Sequence, residues 1–494
     1  MNKYAHRVWI ALALLVAALG MRGLNADAIW YDEWWSLYYA GAIDGDTSPG
    51  AVLARLSEQR QHENNPPLYY LLLAQWGQLL NWTPQTAPLI GRFLSLAATL
   101  LAGAFAFRAG RLLAGQTAGL SAYAVFLSSA FIIHYAHELR GYALSAFFTA
   151  AAIWAYLHLR VTRHRWRTWA ALAASLTAML YTHYFTGLGV VALGLVHALR
   201  RGRSPGWWSG LLAFAVAGAA FLLWLPNLAG ALNRAIVDPV ALALTMQPPE
   251  VIWSLLFSFS NANPALALLL IGVALQSRDR RQAVIAGWVI ILTALILILN
   301  ARFHLVSELR YLIGLWAGLA LWTAFGITSA AKRGLPAALV ITIWAAAGLW
   351  TSLQATPLVV ALNAPDGGQY TRVYNVGFIP LPFHDARRLL ERDIGEDDVL
   401  LLHRPDTVWA IERLFEYYFG DLPGQQHILE TTPDAQLQAS IQQARRIWLA
   451  IDETTAPGNR LPWLQQQLHD AGFARCGDPQ DLGALRLERY ETTC

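Results

Sequence analysis

Little charge is present in this chain: 14% of its 494 residues are Asp, Glu, Lys or Arg, against about 25% in an ordinary soluble domain. With 56% of residues in the apolar and aromatic set, that scarcity excludes a soluble globular protein. Cysteine is nearly absent. Cys476 and Cys494 both lie near the C-terminus, which excludes a thiolate metal cluster and a disulfide framework; the two can pair if that end meets an oxidising compartment. Also missing are G-x-x-x-x-G-K-[ST], G-x-S-x-G, H-E-x-x-H and any glycine-rich nucleotide loop. No cytoplasmic ATP-driven engine is visible, and long polar cytoplasmic loops are missing too, so an activated substrate is expected to arrive through the bilayer or from outside.

What the chain does have is apolar length. Runs long enough to cross a hydrocarbon core of about 30 Å recur from Val8 to Trp350. They place spans near 8–24, 88–107, 117–134, 140–159, 168–182, 184–200, 207–225, 264–277, 283–301, 311–330 and 336–353. The opening "MNKYAHR" before "VWIALALLVAALGM" has the outline of a signal peptide. With no clear A-x-A site and many spans behind it, it reads as an uncleaved first span.

The net charge of +4 does not point to nucleic acid. Basic residues cluster in alternate loops: Lys3 and Arg7, Arg108 and Arg111, "RVTRHRWR", "RRGR", "RDRR", and Lys332 with Arg333. The positive-inside rule makes that side cytoplasmic. The opposite side then collects Asp32 and Glu33, "HENNPP", "HYAHELRGY", "THYF", a loop over 227–263, and "RFHLVSELR". The segment 68–82 is too short and amphipathic for a span and reads as an interfacial or re-entrant helix. Beyond residue 356 the composition becomes mixed, with "DDVLLLH" and "RRIWLAID" as buried strands and "DARRLLERD" and "PWLQQQLHDAG" as amphipathic helices. The fold class is therefore an α-helical polytopic membrane protein of about 11 to 13 transmembrane helices. Its membrane domain covers 1–355, with a first external loop at 25–87, and a small α/β extracytoplasmic domain covers 356–494.

Candidate chemistry gathers on the outer side. Asp32 and Glu33 sit in "AIWYDEWWSLYYA", where carboxylates meet the edge of the hydrocarbon and are costly to keep without a task. A solvated loop capping the first span is the plainer reading, and the surrounding Trp and Tyr also suit an interfacial belt. In "HELRGYAL", Glu138, Arg140 and Tyr142 flank a span end, and an Arg there can hold a phosphate through two parallel hydrogen bonds or tie two helices through a carboxylate. "SELRYL" repeats the arrangement with Glu308, Arg310 and Tyr311. Two outward Arg sites favour an anionic ligand. Glu63, ahead of Pro66 and Pro67, could hold a divalent metal ion together with His62 or His183, although a lone His at a span end is more often only hydrogen-bonded. Tyr69 in the following "LYYLLL" is a further candidate for substrate contact.

These residues together resemble a known family, the GT-C superfamily of membrane glycosyltransferases. The resemblance is to its family-39 or PMT-2 group, similar to protein O-mannosyltransferases and the lipid A aminoarabinose transferase. It covers about 8–350 and rests on "YDEWWSLYYA", "ENNPPLYYLLL", "HELRGYAL", where relatives commonly read Q-E-A-R-x-Y-A-L, and "THYF". It implies a polyprenyl-phosphate sugar as donor, a glycan, lipid or protein hydroxyl as acceptor, and Asp32 as the catalytic general base with Glu33 beside it as helper. Glu63 resembles the acidic residue before the Pro-Pro pair, but Asn65 stands where relatives often carry His. The expected location is the cell membrane, N-terminus cytoplasmic, with the site and C-terminal domain outside. Two other classes compete. A transporter or flippase predicts mid-span charges and an inverted repeat, neither of which stands out; a non-catalytic assembly protein predicts that loss of the outward carboxylates is neutral.

Overall fold

A computed structural model describes residues 3–21, 24, 28–58, 65–159, 161, 165–200, 205–237, 245–277, 281–354, 382–404, 408–453, 460–483 and 485–494. The chain divides into two units, one of Met1–Leu24 with Ser36–Gly377, the other of Asn25–Trp35 with Phe378–Cys494. The expected boundary at 355/356 lies outside the described residues.

Apolar helices build the first unit. In chain order they are α1 (Lys3–Met21), α2 (Tyr31–Ala40, of which the residues up to Trp35 belong to the second unit), α3 (Pro49–Glu58), α4 (Leu68–Leu79), α5 (Ala87–Leu127) and α6 (Ala130–Ala136). Next come α7 (Tyr142–Leu159), α8 (Arg165–Thr182), α9 (Tyr184–Leu199), α10 (Pro205–Leu222) and α11 (Leu225–Val237). The series ends with α12 (Pro248–Phe259), α13 (Pro264–Leu275), α14 (Gln282–Phe303), a 3₁₀ turn at Leu309–Leu312, α15 (Leu315–Ala331) and α16 (Ala337–Gln354).

Each of the eleven sequence-predicted spans overlaps a helix. By length and composition, though, three helices among the described residues can cross a membrane, Ala87–Leu127, Tyr142–Leu159 and Gln282–Phe303. Counting the bent pairs Gly206–Leu222 with Leu225–Val237 (70°) and Pro248–Phe259 with Pro264–Leu275 (91°) makes five. Helix length alone thus does not establish the expected eleven to thirteen crossings. One reason is visible in α5, which is 41 residues long but leaves helical geometry at Ala114 and Gly115. A Cβ on Gly110 would lie 2.7 Å from the Ala118 carbonyl oxygen, and one on Gly103 2.8 Å from the Leu127 side chain. Residues that far apart in sequence touch only if the helix doubles back, so α5 is two antiparallel arms joined at Gly115, whose φ of +84° suits glycine.

The expected loop over 227–263 is corrected: it contains α11 and α12. Pro248 begins α12, where its missing N–H costs nothing, and Gln247 with Glu250 forms a capping box.

The core of this unit is aromatic and tightly joined. Phe131 stacks on Trp316 at 4.1 Å, the Trp316 indole donates to Ser129 Oγ at 3.0 Å, and the Trp288 indole donates to the Gly189 carbonyl at 2.8 Å. Asn261, with φ +52°, accepts from Ala130 N–H at 3.0 Å and donates to the Ser128 and Trp344 carbonyls, each at 3.3 Å. It joins the breaks α5/α6 and α12/α13 to α16, and Gly348 leaves room there because a Cβ would collide with the Ser128 carbonyl. Asn261→Gly keeps the left-handed backbone accessible and removes only the amide. The variant should unfold with about 1–3 kcal/mol less stability, read as a lower midpoint on heating in detergent; an unchanged midpoint would show that these bonds contribute nothing.

In the second unit, α17 (Phe383–Asp393), β1 (Asp398–His403), α18 (Val408–Phe419), β2 (Gln425–Ile428), α19 (Asp434–Gln443), β3 (Arg446–Asp452) and α20 (Arg460–Asp470) precede β4 (Ala474–Arg475), β5 (Gln480–Asp481) and β6 (Leu485–Glu491). The sheet order is β2-β1-β3-β6-β4, with β5 also on β6. The first three strands are parallel, as helical crossovers require, and β6 is antiparallel to β3. Leu401, Leu437, Leu449 and Leu464 form part of its core. Cys476 and Cys494 are disulfide-bonded, Cα to Cα 5.5 Å.

Burial holds the His427 imidazole below its ordinary value, with its Nε2 2.9 Å from Ser440 Oγ. Because the unfolded chain binds the proton more tightly, this group's contribution is complete above pH about 6.5 and is lost as pH falls through the lower folded value. His427→Gln should therefore lessen the drop in melting temperature between pH 7.5 and 5. A drop identical to that of the parent would remove His427 from the acid sensitivity.

Candidate active site

Three helix junctions of the first unit bring polar groups together. The first is the bend 137–141 between α6 and α7. Ser95 Oγ on α5 donates to the Glu138 carbonyl at 2.6 Å, and Gly91 leaves room for Leu139, whose side chain a Cβ there would approach to 2.7 Å. The second is the stretch before α15. Asn300 accepts from Val306 N–H at 2.8 Å and donates to the Met246 carbonyl at 2.7 Å, which fixes the approach to the 3₁₀ turn carrying Arg310. The third is His183, between α8 and α9, whose Nδ1 accepts from Phe185 N–H at 3.3 Å and caps α9.

Arg140 and Arg310 are both buried, 7% and 6% exposed. Arg310 pairs with Glu308 and, at 3.7 Å, with Glu138, and its guanidinium lies 5.5 Å from the centre of the Tyr142 ring. Arg140 Nη1 donates to the hydroxyls of Ser36 and Tyr70, both at 3.4 Å. Around them the rings form a continuous wall: Tyr142 to His183 at 5.8 Å, His183 to Tyr311 at 5.5 Å, and Tyr311 stacked on Phe185 at 5.5 Å. A buried guanidinium with hydroxyl neighbours can present paired donors to a phosphate.

The sequence-predicted residues thus separate. Glu138, Arg140, Tyr142, His183, Arg310 and Tyr311 come together. Tyr69 is buried beside Tyr70, ring centres 5.2 Å apart, but the hydroxyl on Arg140 is that of Tyr70. Asp32 and Glu33 occupy the first turn of α2. Glu33 is 1% exposed and its Oε2 accepts from Trp30 N–H at 3.3 Å, half of a capping box. Asp32 lies one helical turn before Ser36. Glu63 lies outside the described residues. Ser36 and Tyr70 were not singled out in the sequence; the spacing of four from Asp32 to Ser36 was the available signal for one, whereas the pair Tyr69-Tyr70 offers none for choosing between its members.

The comparisons decide the fold. A structure of ArnT from Cupriavidus metallidurans in the apo state matches with a TM-score of 0.56 at 13% identity, covering 98% of each chain. ArnT from the same organism bound to undecaprenyl phosphate matches at 0.57 and 11% identity, over 99% of this chain and 98% of that one. The fold is that of the GT-C membrane glycosyltransferases. The GT-C arabinofuranosyltransferase AftD from Mycobacteria also matches, at 0.55 and 14% identity, and there all of this chain spans 40% of the larger protein. No protein-family model matches the chain, and no curated protein does.

The divalent-metal site expected at Glu63 and His183 can be read only at His183, because Glu63 lies outside the described residues. The Nδ1 of His183 is engaged in capping α9, and no group of three His, Cys, Asp or Glu able to hold a metal occurs among the described residues.

Proposed function

We propose that the chain transfers a sugar from a polyprenyl-phosphate donor lipid to an acceptor hydroxyl at the outer face of the cell membrane. The observation that carries the reading is the pair of buried guanidinium groups, Arg140 and Arg310, at helix ends of a chain with the GT-C fold. In the proposed reaction the acceptor oxygen bonds to the anomeric carbon of the sugar as the bond from that carbon to the phosphate oxygen breaks. Asp32 takes the acceptor proton and the lipid phosphate leaves as an anion. A glycosidase needs a second carboxyl to protonate a departing alcohol. A phosphate is already a fair leaving group, so one base and a cationic site suffice.

Arg140 is assigned to the phosphate, and Arg310, held by Glu138 and Glu308, is assigned to substrate binding beside it. Tyr142, Tyr311, Tyr69, Glu138 and Glu63 are assigned to substrate binding, and Glu33 to holding the first turn of α2 beside Asp32. The disulfide between Cys476 and Cys494 supports an extracytoplasmic second unit, since such bonds persist in oxidising compartments. The acceptor is a glycan, a lipid or a protein. Mass spectrometry of lipids and envelope glycans from cells with and without the gene tests the whole reading: one sugar substituent should be missing without it, and identical profiles would refute the transfer.

A further inference from the structure

Residues 28–30 are non-helical and lead into α2, and the N–H of Ile29 lies ahead of the helix, where no intrahelical carbonyl can receive it. Ala28 and Ile29 are each 1% exposed, so water cannot serve that donor and a partner is required. The partner is the Tyr418 hydroxyl at 2.7 Å, contributed by α18 of the same unit. Tyr418 is itself held from two sides by α17: its ring packs against Phe383 at 5.5 Å and His384 at 5.1 Å, and its carbonyl accepts from Arg387 at 2.6 Å. Arg387 also grips Asp421 through two bonds of 2.6 and 2.8 Å. A second grip comes from Arg413, whose guanidinium lies 5.8 Å from the centre of the Trp34 ring.

The two contacts fall on residues 29 and 34 and bracket Asp32. The first turn of a helix is where it frays, and a proton acceptor displaced by about 1 Å can lose on the order of 10²-fold in rate. We propose that Tyr418 and Arg413 are positioning residues: helix α18 clamps the segment 28–34 of its own unit and thereby holds the Asp32 carboxylate in place. This rests on the assignment of Asp32 as the base.

Tyr418→Phe keeps the ring and removes only the hydrogen-bond acceptor. In the full-length chain in detergent, amide exchange of a peptide covering 28–35 should become faster. Release of undecaprenyl phosphate should be measured from whichever undecaprenyl-phosphate-linked monosaccharide the parent turns over in a panel of hexose and pentose donors. The kcat should fall about 10-fold with KM unchanged. Arg413→Gln alters a side chain 58% exposed, so it keeps the test open if Tyr418→Phe does not fold; kcat should fall two- to threefold, again with KM unchanged. Parental kcat and exchange in the folded variants, or a kcat loss matched by a rise in KM, would overturn the clamp. The base assignment is read separately. If Asp32→Asn remains active, that assignment fails and the clamp loses its catalytic purpose; if Asp32→Asn is inactive and Tyr418→Phe is parental, only the clamp fails. When both hold, adding Tyr418→Phe to Asp32→Asn causes no further loss.

Discussion

Asp32→Asn should lower turnover by about 10²- to 10⁴-fold, the usual contribution of a positioned general base, while undecaprenyl phosphate still binds. The amide has the shape of the carboxylate but cannot take the acceptor's proton. The neighbouring Glu33→Gln is the control, because glutamine can also serve at this position of a capping box. Its carboxylate is occupied with Trp30 N–H at 3.3 Å, so that variant should keep most of the parental rate. Release of the lipid phosphate in single-turnover experiments separates the two residues. An Asp32→Asn protein that turns over at the parental rate removes Asp32 from the chemistry.

The second large effect is expected at Arg140. Hydrogen bonds to a charged group are worth about 1.5–3 kcal/mol, so Arg140→Ala should weaken undecaprenyl phosphate binding by about 10- to 100-fold. Arg140→Lys restores the charge without the fork of parallel donors and should recover only part of that loss. The corresponding change at Arg310 is a poorer probe. Removing it leaves Glu138 and Glu308, 14% and 20% exposed in their side chains, without their common cation, and the resulting instability would be confused with lost affinity. Unchanged affinity in a folded Arg140→Ala protein would take Arg140 out of the phosphate site.

Sequence and structure agree best where the signal is local. Each apolar run read as a span overlaps a helix, and "DDVLLLH" and "RRIWLAID" are strands β1 and β3. The helices between 227 and 263 were missed because Pro248, Pro249 and the left-handed Asn261 and Ala262 read as loop residues, although they start α12 and turn the chain out of it. The role of Glu33 was hidden for a similar reason: a capping box is normally announced by Ser, Thr, Asp or Asn at its first position, and here that position is Trp30. The partners of Arg140 were out of reach altogether. Ser36 and Tyr70 are 104 and 70 residues away from it, and only packing brings such residues together.

The doubled-back α5 has no slack at its corner. Both arms stay packed up to the turn at residues 114 and 115, so one inserted residue could not be absorbed as a loop and would turn the second arm by about 100° about its axis. That arm runs through Ser128 and Ser129 into α6, and α6 delivers the bend bearing Glu138 and Arg140. The number of residues between Gly103 and Arg140 therefore sets an angle as well as a length: it fixes the azimuth at which the buried guanidinium of Arg140 faces Ser36 and Tyr70.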